Sequence, residues 1–160
     1  MTRPTLRRIY PDSSGTSTRT IAFTRHRITL TEADAIWRED VMQRLEELVR
    51  LDCGWDGYGG LPVSLENATF ALRMLEATCR EDTPSPQIVP GSNGDLQIEW
   101  HTELGDVELL VRGPNNVRAW ASLAGPDSDG EEIELTNDFI AVSRWVAEVT
   151  EPHIAFQAAA

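Results

Sequence analysis

The sequence centres on Gly54-Trp55-Asp56-Gly57-Tyr58-Gly59-Gly60-Leu61-Pro62-Val63-Ser64, a stretch of four glycines, one proline, two aromatic residues and one carboxylate. Glycine adopts backbone angles that other residues avoid and allows chain or ligand to approach closely. Trp55 and Tyr58 each combine a large apolar ring with one polar atom. We therefore expect a shaped loop, and it is the best candidate in the chain for a binding surface.

The segments on both sides of this loop have the apolar spacing of amphipathic helices. Before the loop, one apolar stripe is formed by Trp37, Val41, Leu45 and Leu48. We predict that this helix begins at Thr31-Glu32-Ala33-Asp34, which resembles a capping box, and ends at Gly54. Ser64 is predicted to cap a second helix, whose apolar face holds Leu65, Ala68, Leu72, Leu75 and Cys79. The two helices should form a hairpin hinged at the glycine loop.

From Gln87 onward the apolar period changes to two, which is typical of half-buried strands. Four strands are predicted at 87–90, 96–101, 107–111 and 117–123, with a fifth short one at 133–135. Thr136 should then cap a final helix that Pro152 closes. The order of elements predicts an α+β fold, with an N-terminal helical hairpin and a C-terminal helix on one antiparallel β-meander of four to five strands. Trp100 and Trp120 are expected to fill its core.

Charge is distributed unevenly along the sequence. Residues 1–30 hold six arginines against one acid, a balance of +5, and the remainder carries −17, for a net charge of −12. We predict a basic, largely flexible tail over 1–30, a single domain over 31–150 and a second tail over 151–160. Weak alternation from Ile21 to Leu30 would suit an edge strand, and the composition of the tail also suits an organellar transit peptide.

An acidic body of this kind repels a nucleic-acid backbone, because phosphate neutralisation dominates such binding. It can instead attract a basic protein partner, or it can serve solubility alone. No stretch approaches the length of a membrane span. Two cysteines without a secretion signal, Cys53 and Cys79, indicate a reduced, cytoplasmic chain.

No catalytic, metal-binding or cofactor motif is present in the sequence, and we predict no catalytic residue, metal or cofactor. Asp52-Cys53-Gly54-Trp55-Asp56-Gly57 superficially matches the start of a calcium loop, but Gly54 and Val63 stand where ligands are required. Asp56 is more simply explained as an acceptor for backbone N–H groups of its own loop, in an Asx-type turn. Glu99, His101 and Glu103 share one phase of a strand, which suits a metal ligand set, a general base or an ordinary solvated face.

The loop and the second predicted strand together resemble a group of small bacterial proteins. These share a Gly-Trp-Asp-Gly-Tyr-Gly-Ala-x-Pro-Ile loop and an apolar-Gln/Tyr-apolar-Glu-Trp strand, here Leu96-Gln97-Ile98-Glu99-Trp100. The likeness covers about residues 45–123, and this chain departs from it mildly, with Gly60 for alanine and Val63 for isoleucine. The resemblance implies a prokaryotic, cytoplasmic protein associated with mobile elements, and it transfers no activity.

Three classes of function follow. The first is a non-enzymatic module, monomer or homodimer, that binds a basic protein encoded nearby through Trp55, Asp56 and Tyr58, as an antitoxin, immunity factor or chaperone-like protein of a bacterial operon would. The second is a small metal-dependent hydrolase or nuclease-like enzyme, which requires Asp52, Asp56, Glu99 and His101 to converge. Cys53 with His101 and Asp56 would be a nucleophilic variant of it. The third is a self-associating structural module.

Overall fold

A computed structural model describes residues 35–125 and 129–151 in full, together with the backbone of 17–23 and 26–32. Three helices and seven strands follow one another along these residues. Their bounds are β1 Ser17–Phe23, β2 His26–Glu32, α1 Ile36–Val49, α2 Leu65–Thr78, β3 Gln87–Pro90, β4 Leu96–Thr102, β5 Gly105–Gly113, β6 Asn116–Leu123, β7 Glu131–Leu135 and α3 Ile140–Thr150.

Strands β3 to β7 form one antiparallel sheet in which each strand pairs with the next along the chain. In β4 the burial alternates, because Leu96, Ile98 and Trp100 are buried and the residues between them are not. The register places Ile98 opposite Leu109, and Leu109 opposite Ala119, so that one face of the sheet is apolar throughout. The α+β fold with an antiparallel meander is thus confirmed, and the fifth strand is present.

The helices pack on the apolar face of this sheet. Helix α1 contacts β3, α2 contacts β5, and α3 crosses β4, β5 and β6. The stripe predicted for α1 is buried, with Trp37 and Leu48 both 1% exposed. The indole N–H of Trp37 donates to the carbonyl of Arg80 at 2.9 Å, and that of Trp100 donates to the carbonyl of Pro84 at 3.0 Å. Both buried tryptophans therefore keep a partner for their polar atom.

Trp120 does not lie in this core, and its predicted position was wrong. Within β6 the residues that face the helices are Val117, Ala119 and Ala121, so Trp120 belongs to the opposite face. It is half-buried there because Gly130 lies against its ring. A Cβ atom on Gly130 would come within 2.4 Å of the indole nitrogen, so only glycine fits this close approach.

The start of α1 also differs from the prediction. Thr31 and Glu32 do not cap a helix, because they end β2, where they pair with Thr18 and Ser17. Strands β1 and β2 form a separate two-stranded antiparallel sheet, in place of one edge strand from Ile21 to Leu30. Helix α1 starts four residues after β2 at Ile36, whose N–H donates to the carbonyl of Glu81 at 3.0 Å. Residues 1–16, 33–34 and 152–160, which include much of both predicted tails and Pro152, lie outside the described residues.

Two further helix ends were predicted incorrectly. Helix α1 ends at Val49 and not at Gly54, since the carbonyl of Leu48 accepts the N–H of Val63 at 3.1 Å as the chain returns. Helix α3 begins at Ile140, and its first N–H is accepted by the carboxylate of Asp138 at 3.0 Å. Thr136 lies outside that helix and does not cap it.

The cap of α2 was predicted correctly, because Ser64 Oγ accepts the N–H of Asn67 at 3.1 Å. We expect Ser64→Ala to lower the free energy of unfolding by about 1 kcal/mol, the typical contribution of an N-cap side chain. Thr136→Ala is the matched control and should leave that free energy nearly unchanged. Urea unfolding followed by circular dichroism measures both, and equal losses in the two variants would contradict the assignment.

Candidate binding loop

The glycine loop lies between α1 and α2 and rests on the turn that joins β3 to β4. Its own ends are joined by a hydrogen bond from the N–H of Gly54 to the carbonyl of Gly60 at 2.7 Å. Beyond this ring, the N–H of Leu61 donates to the carbonyl of Ser92 at 2.9 Å, and that of Ser64 donates to the carbonyl of Gly94 at 3.0 Å. The loop is therefore closed on itself and attached to the sheet.

Asp56 occupies the centre of the ring. Its Oδ1 accepts the backbone N–H groups of Tyr58 at 3.0 Å, Gly59 at 3.0 Å and Gly60 at 2.8 Å, and its Oδ2 accepts the hydroxyl of Ser92 at 3.3 Å. The Asx-type turn predicted from the sequence is confirmed. These hydrogen bonds, above all the one from Gly59, hold the pKa of Asp56 far below its ordinary value, because N–H donors stabilise the charged carboxylate.

Glycine is required in the loop for two different reasons, backbone conformation and space. Gly54 and Gly57 both have φ of +83°, a backbone region that side chains disfavour. Gly60 is required for space instead, since a Cβ atom there would lie 2.8 Å from the Asp56 carboxyl carbon and 2.9 Å from Trp55 Nε1. The departure from alanine at Gly60 is therefore not mild in this chain, because an alanine would displace the carboxylate on which the ring is built.

The two aromatic residues of the loop have different roles. Trp55 is half-buried, and its indole N–H donates to the carbonyl of Leu61 at 2.9 Å, so it belongs to the framework of the loop. Tyr58 is 98% exposed although its backbone N–H is fixed by Asp56. Leu61, at the other end of the loop, is 50% exposed. The loop thus presents a phenol ring to solvent from a backbone that is held in place.

The polar face of the sheet carries a second group of titratable residues. His101 Nδ1 lies 2.8 Å from Asp106 Oδ1, and His101 Nε2 lies 3.0 Å from Glu99 Oε2. These bonds, first that with Asp106, raise the pKa of His101 above its ordinary value. Asp106 was missed in the sequence, although counting back across the turn at Glu103 places it opposite His101. Both ring nitrogens of His101 therefore have a carboxylate partner on the polar face of the sheet.

The structure does not bring together the four residues that an enzyme would need. Asp56 contacts Ser92 before the start of β4, whereas His101 lies near its end, about 17 Å farther along at the rise of an extended strand. Asp52 is exposed in the glycine loop and Glu99 stays with His101, so the four form two separate sets. Among the described residues, no group of three or more His, Cys, Asp or Glu could hold a metal ion.

The two cysteines are free thiols in different environments. Cys53 is exposed in the glycine loop. Like Asp56, it therefore lies at the other end of β4 from His101. Cys79 follows the last residue of α2, and its partial burial raises the pKa of its thiol to about 11. A thiol with so high a pKa is protonated at neutral pH and is a poor nucleophile. Cys79 therefore packs as a small side chain, as its place in the helical stripe predicts.

No family model matches the chain, and neither does any curated protein or solved structure. The resemblance in the loop stays a prediction. None of the helices in the described part of the chain is long and apolar enough to cross a membrane.

Asp56→Ala should destabilise the protein, because it leaves three backbone N–H groups of the ring without their acceptor. Asp52→Ala removes the same charge from an exposed position of the same loop, and it should change the melting temperature much less. Thermal unfolding at neutral pH compares the two variants. Because the pKa of Asp56 is lowered on folding, its contribution is complete above the ordinary carboxyl pKa and is lost progressively as the pH falls from there through the lowered folded pKa. Similar melting temperatures for both variants would show that Asp56 does not hold the ring.

His101 should remain protonated above the pH at which an ordinary histidine loses its proton. Asp106→Asn should lower the pKa of His101 towards its ordinary value, and Glu103→Gln, which changes the neighbouring acid, should leave it nearly unchanged. Titration of the imidazole signals by NMR measures this. Because the pKa is raised on folding, the stabilisation is complete below the unfolded pKa and is lost as the pH rises through the folded one. If the pKa of His101 in the Asp106→Asn variant equals that in the native protein, the pairing of His101 with Asp106 is contradicted.

Proposed function

We propose that the chain is a non-enzymatic protein-binding module that engages a basic partner through the glycine loop. The observation that carries this proposal is the 98% exposure of Tyr58 on a loop closed by the Asp56 hydrogen bonds. Antitoxins, immunity factors and chaperone-like proteins of bacterial operons belong to this class. We further propose a cytoplasmic protein whose partner is encoded nearby.

A rigid exposed aromatic residue is suited to recognition for an energetic reason. Binding has to offset the entropy lost when interface groups become ordered, and a loop that is already fixed loses little. Tyrosine is enriched among the residues that contribute most to binding, since it buries a large ring and offers a hydroxyl group. Tyr58 provides the anchor in this proposal, Leu61 adds apolar area, and Asp56 and Trp55 hold the loop in shape.

The charge of the body favours a basic partner. Residues 31–160 carry a net charge of −17, so they attract a positive protein at long range and accelerate encounter. Asp52, exposed in the same loop as Tyr58, contributes to this field at the site itself. The enzymatic alternative receives less support, since Asp56 is engaged by backbone N–H groups and His101 is engaged by two carboxylates.

The test compares baits that differ at one exposed residue. The unmodified chain and its Tyr58→Ala and Ile36→Ala variants are immobilised and exposed to extract of the native host at low and moderate salt. Ile36 is the control, because it is 69% exposed on a different surface, at the start of α1. A partner recovered in stoichiometric amount is then purified and titrated against each variant.

We expect a basic partner whose affinity falls roughly thirtyfold with Tyr58→Ala, the size of a binding hot spot of about 2 kcal/mol. The Ile36→Ala variant should bind the partner as tightly as the native protein does. Higher salt should weaken the binding of the partner to each of these two proteins. Both variants should unfold within about 0.5 kcal/mol of the native protein, as for exposed positions elsewhere. Two results would count against the proposal: recovery of no stoichiometric partner at either salt concentration, or a partner whose affinity is unchanged by Tyr58→Ala.

A further inference from the structure

The outer edge of β7 is open in the described part of the chain. Strand β7 pairs with β6 on one side, and no described strand pairs with it on the other. Every second residue of an edge strand directs its N–H and C=O away from its only neighbour. Such an edge is a template to which another strand can add.

A groove runs beside this edge, between β7 and the beginning of α3. It measures about 450 Å³, and its lining includes Ile133, Leu135, Asp138, Ile140, Ala141 and Arg144. Ile140 is 78% exposed, the most exposed aliphatic side chain among the large apolar residues described. A strand added to β7 would place alternate side chains over this groove, so the edge supplies hydrogen bonds and the groove supplies apolar contact.

The charge around the edge selects a basic occupant. Strand β7 contains Glu131, Glu132 and Glu134, and all three are exposed. Arg118 forms an ion pair with Glu132, and Arg112 forms one with Glu134 at 2.5 Å. Asp129 and Asp138 add negative charge before and after the strand, so five acids stand against these two arginines and the edge keeps an excess of three acids. An added strand with positive charge is favoured here, and one with negative charge is repelled.

The β1–β2 hairpin has the complementary properties. It is a sheet of only two strands, and an isolated hairpin is at best marginally stable in water without a further strand or an apolar surface. Its sequence holds three arginines against one glutamate, so its charge is +2. The register pairs Ile21 with Ile28, and Arg19 with Leu30, so apolar residues recur at alternate positions of both strands. Strand β1 holds Arg19 and no acid, whereas Arg27 in β2 is offset by Glu32, so β1 is the strand that fits both the charge of the β7 edge and its apolar groove.

The hairpin does not occupy the β7 edge of its own chain, because β1 and β2 form a two-stranded sheet and neither pairs with β7. Ile36 follows the hairpin closely and bonds to Glu81, beside Arg80, which forms an ion pair with Glu151 at 2.5 Å. The hairpin is therefore attached near the C-terminal end of α3. The groove lies at the opposite end of this helix, and 11 residues at helical rise separate the two by about 16 Å.

We propose that the β1–β2 hairpin of one molecule adds to the β7 edge of a second copy, with Ile140 in the contact. The interaction joins two different surfaces, so each molecule contributes a hairpin and an acceptor edge. This site is separate from the glycine loop and stands independently of the function proposed for it.

The experiment measures the mass of the full chain by sedimentation at low and high protein concentration. Ile140→Gln removes the apolar contact of the acceptor, and Thr20→Pro disrupts β1 and so removes the donor. Ile36→Gln is the matched control, since Ile36 is also an exposed isoleucine at the first position of a helix. Circular dichroism establishes that each variant keeps the fold of the body.

We expect the native chain and Ile36→Gln to associate as concentration rises, and Ile140→Gln to associate at least about tenfold more weakly, in line with the burial of one isoleucine. Thr20→Pro alone should stay monomeric. An equimolar mixture of Ile140→Gln and Thr20→Pro should recover a 1:1 complex, because one variant retains the hairpin and the other retains the edge.

Three results would overturn this proposal. The first is a native chain that stays monomeric at high concentration, including the case in which hydrogen exchange shows its β7 edge protected by its own hairpin. The second is association that Ile140→Gln does not weaken. The third is a mixture of the two defective variants that fails to form the 1:1 complex although the native chain associates.

Discussion

One backbone carbonyl, that of Gly94, attaches the start of α2 to the β3–β4 turn. It accepts the N–H of Ser64 at 3.0 Å and the side-chain amide of the buried Asn67 at 2.8 Å. A buried amide without a partner costs free energy, so this contact fixes the beginning of α2 on the β3–β4 turn. Gly94 has φ of +79°, and a Cβ atom there would lie 3.3 Å from the carbonyl oxygen of Pro62. The glycine loop is thereby held at the point where it enters α2, and its internal ring can form on a fixed base.

The sheet could be predicted from the sequence because only one of its faces is covered by helices, which leaves a clear alternation of apolar and polar residues. Trp120 shows where this reasoning fails. Its phase in β6 is that of Arg118 and Ser122, but its large apolar ring suggested the core. The alternation was the better guide, since small alanines face the helices and Gly130 gives Trp120 its shelter on the other side. Exposure within the loop could not be predicted, because a loop has no period from which the direction of Tyr58 follows.

Of the three predicted helix caps, one was correct and two were wrong, and the difference has a physical reason. Ser64 is a true cap, whereas Thr31 and Thr136 are not. Threonine is β-branched and favours extended backbone, and Thr31 is paired within β2 while Thr136 directly follows the last residue of β7. At both threonines a hydroxyl residue followed by an acid predicted the start of a helix, although a strand ends there. The pairing of that strand with its neighbour decided its structure. The loop carboxylate was predictable, in contrast, because the geometry of an Asx-type turn depends only on residues within the loop.

The distribution of charge limits what this protein can contact. The sheet's polar face neutralises its own bases, as His101 is held between Glu99 and Asp106, and Arg118 is paired with Glu132. Residues 31–160 nevertheless hold 25 acids against eight arginines, so these pairs leave most of their negative charge in place. Two bodies that each carry −17 repel each other at long range, whereas the first thirty residues, with a balance of +5, are attracted to such a body. The β3–β4 turn that bears the glycine loop and the β7 edge lie at opposite sides of a five-stranded sheet, about 19 Å apart at the usual strand spacing. The two proposed contacts therefore lie at different edges of the sheet.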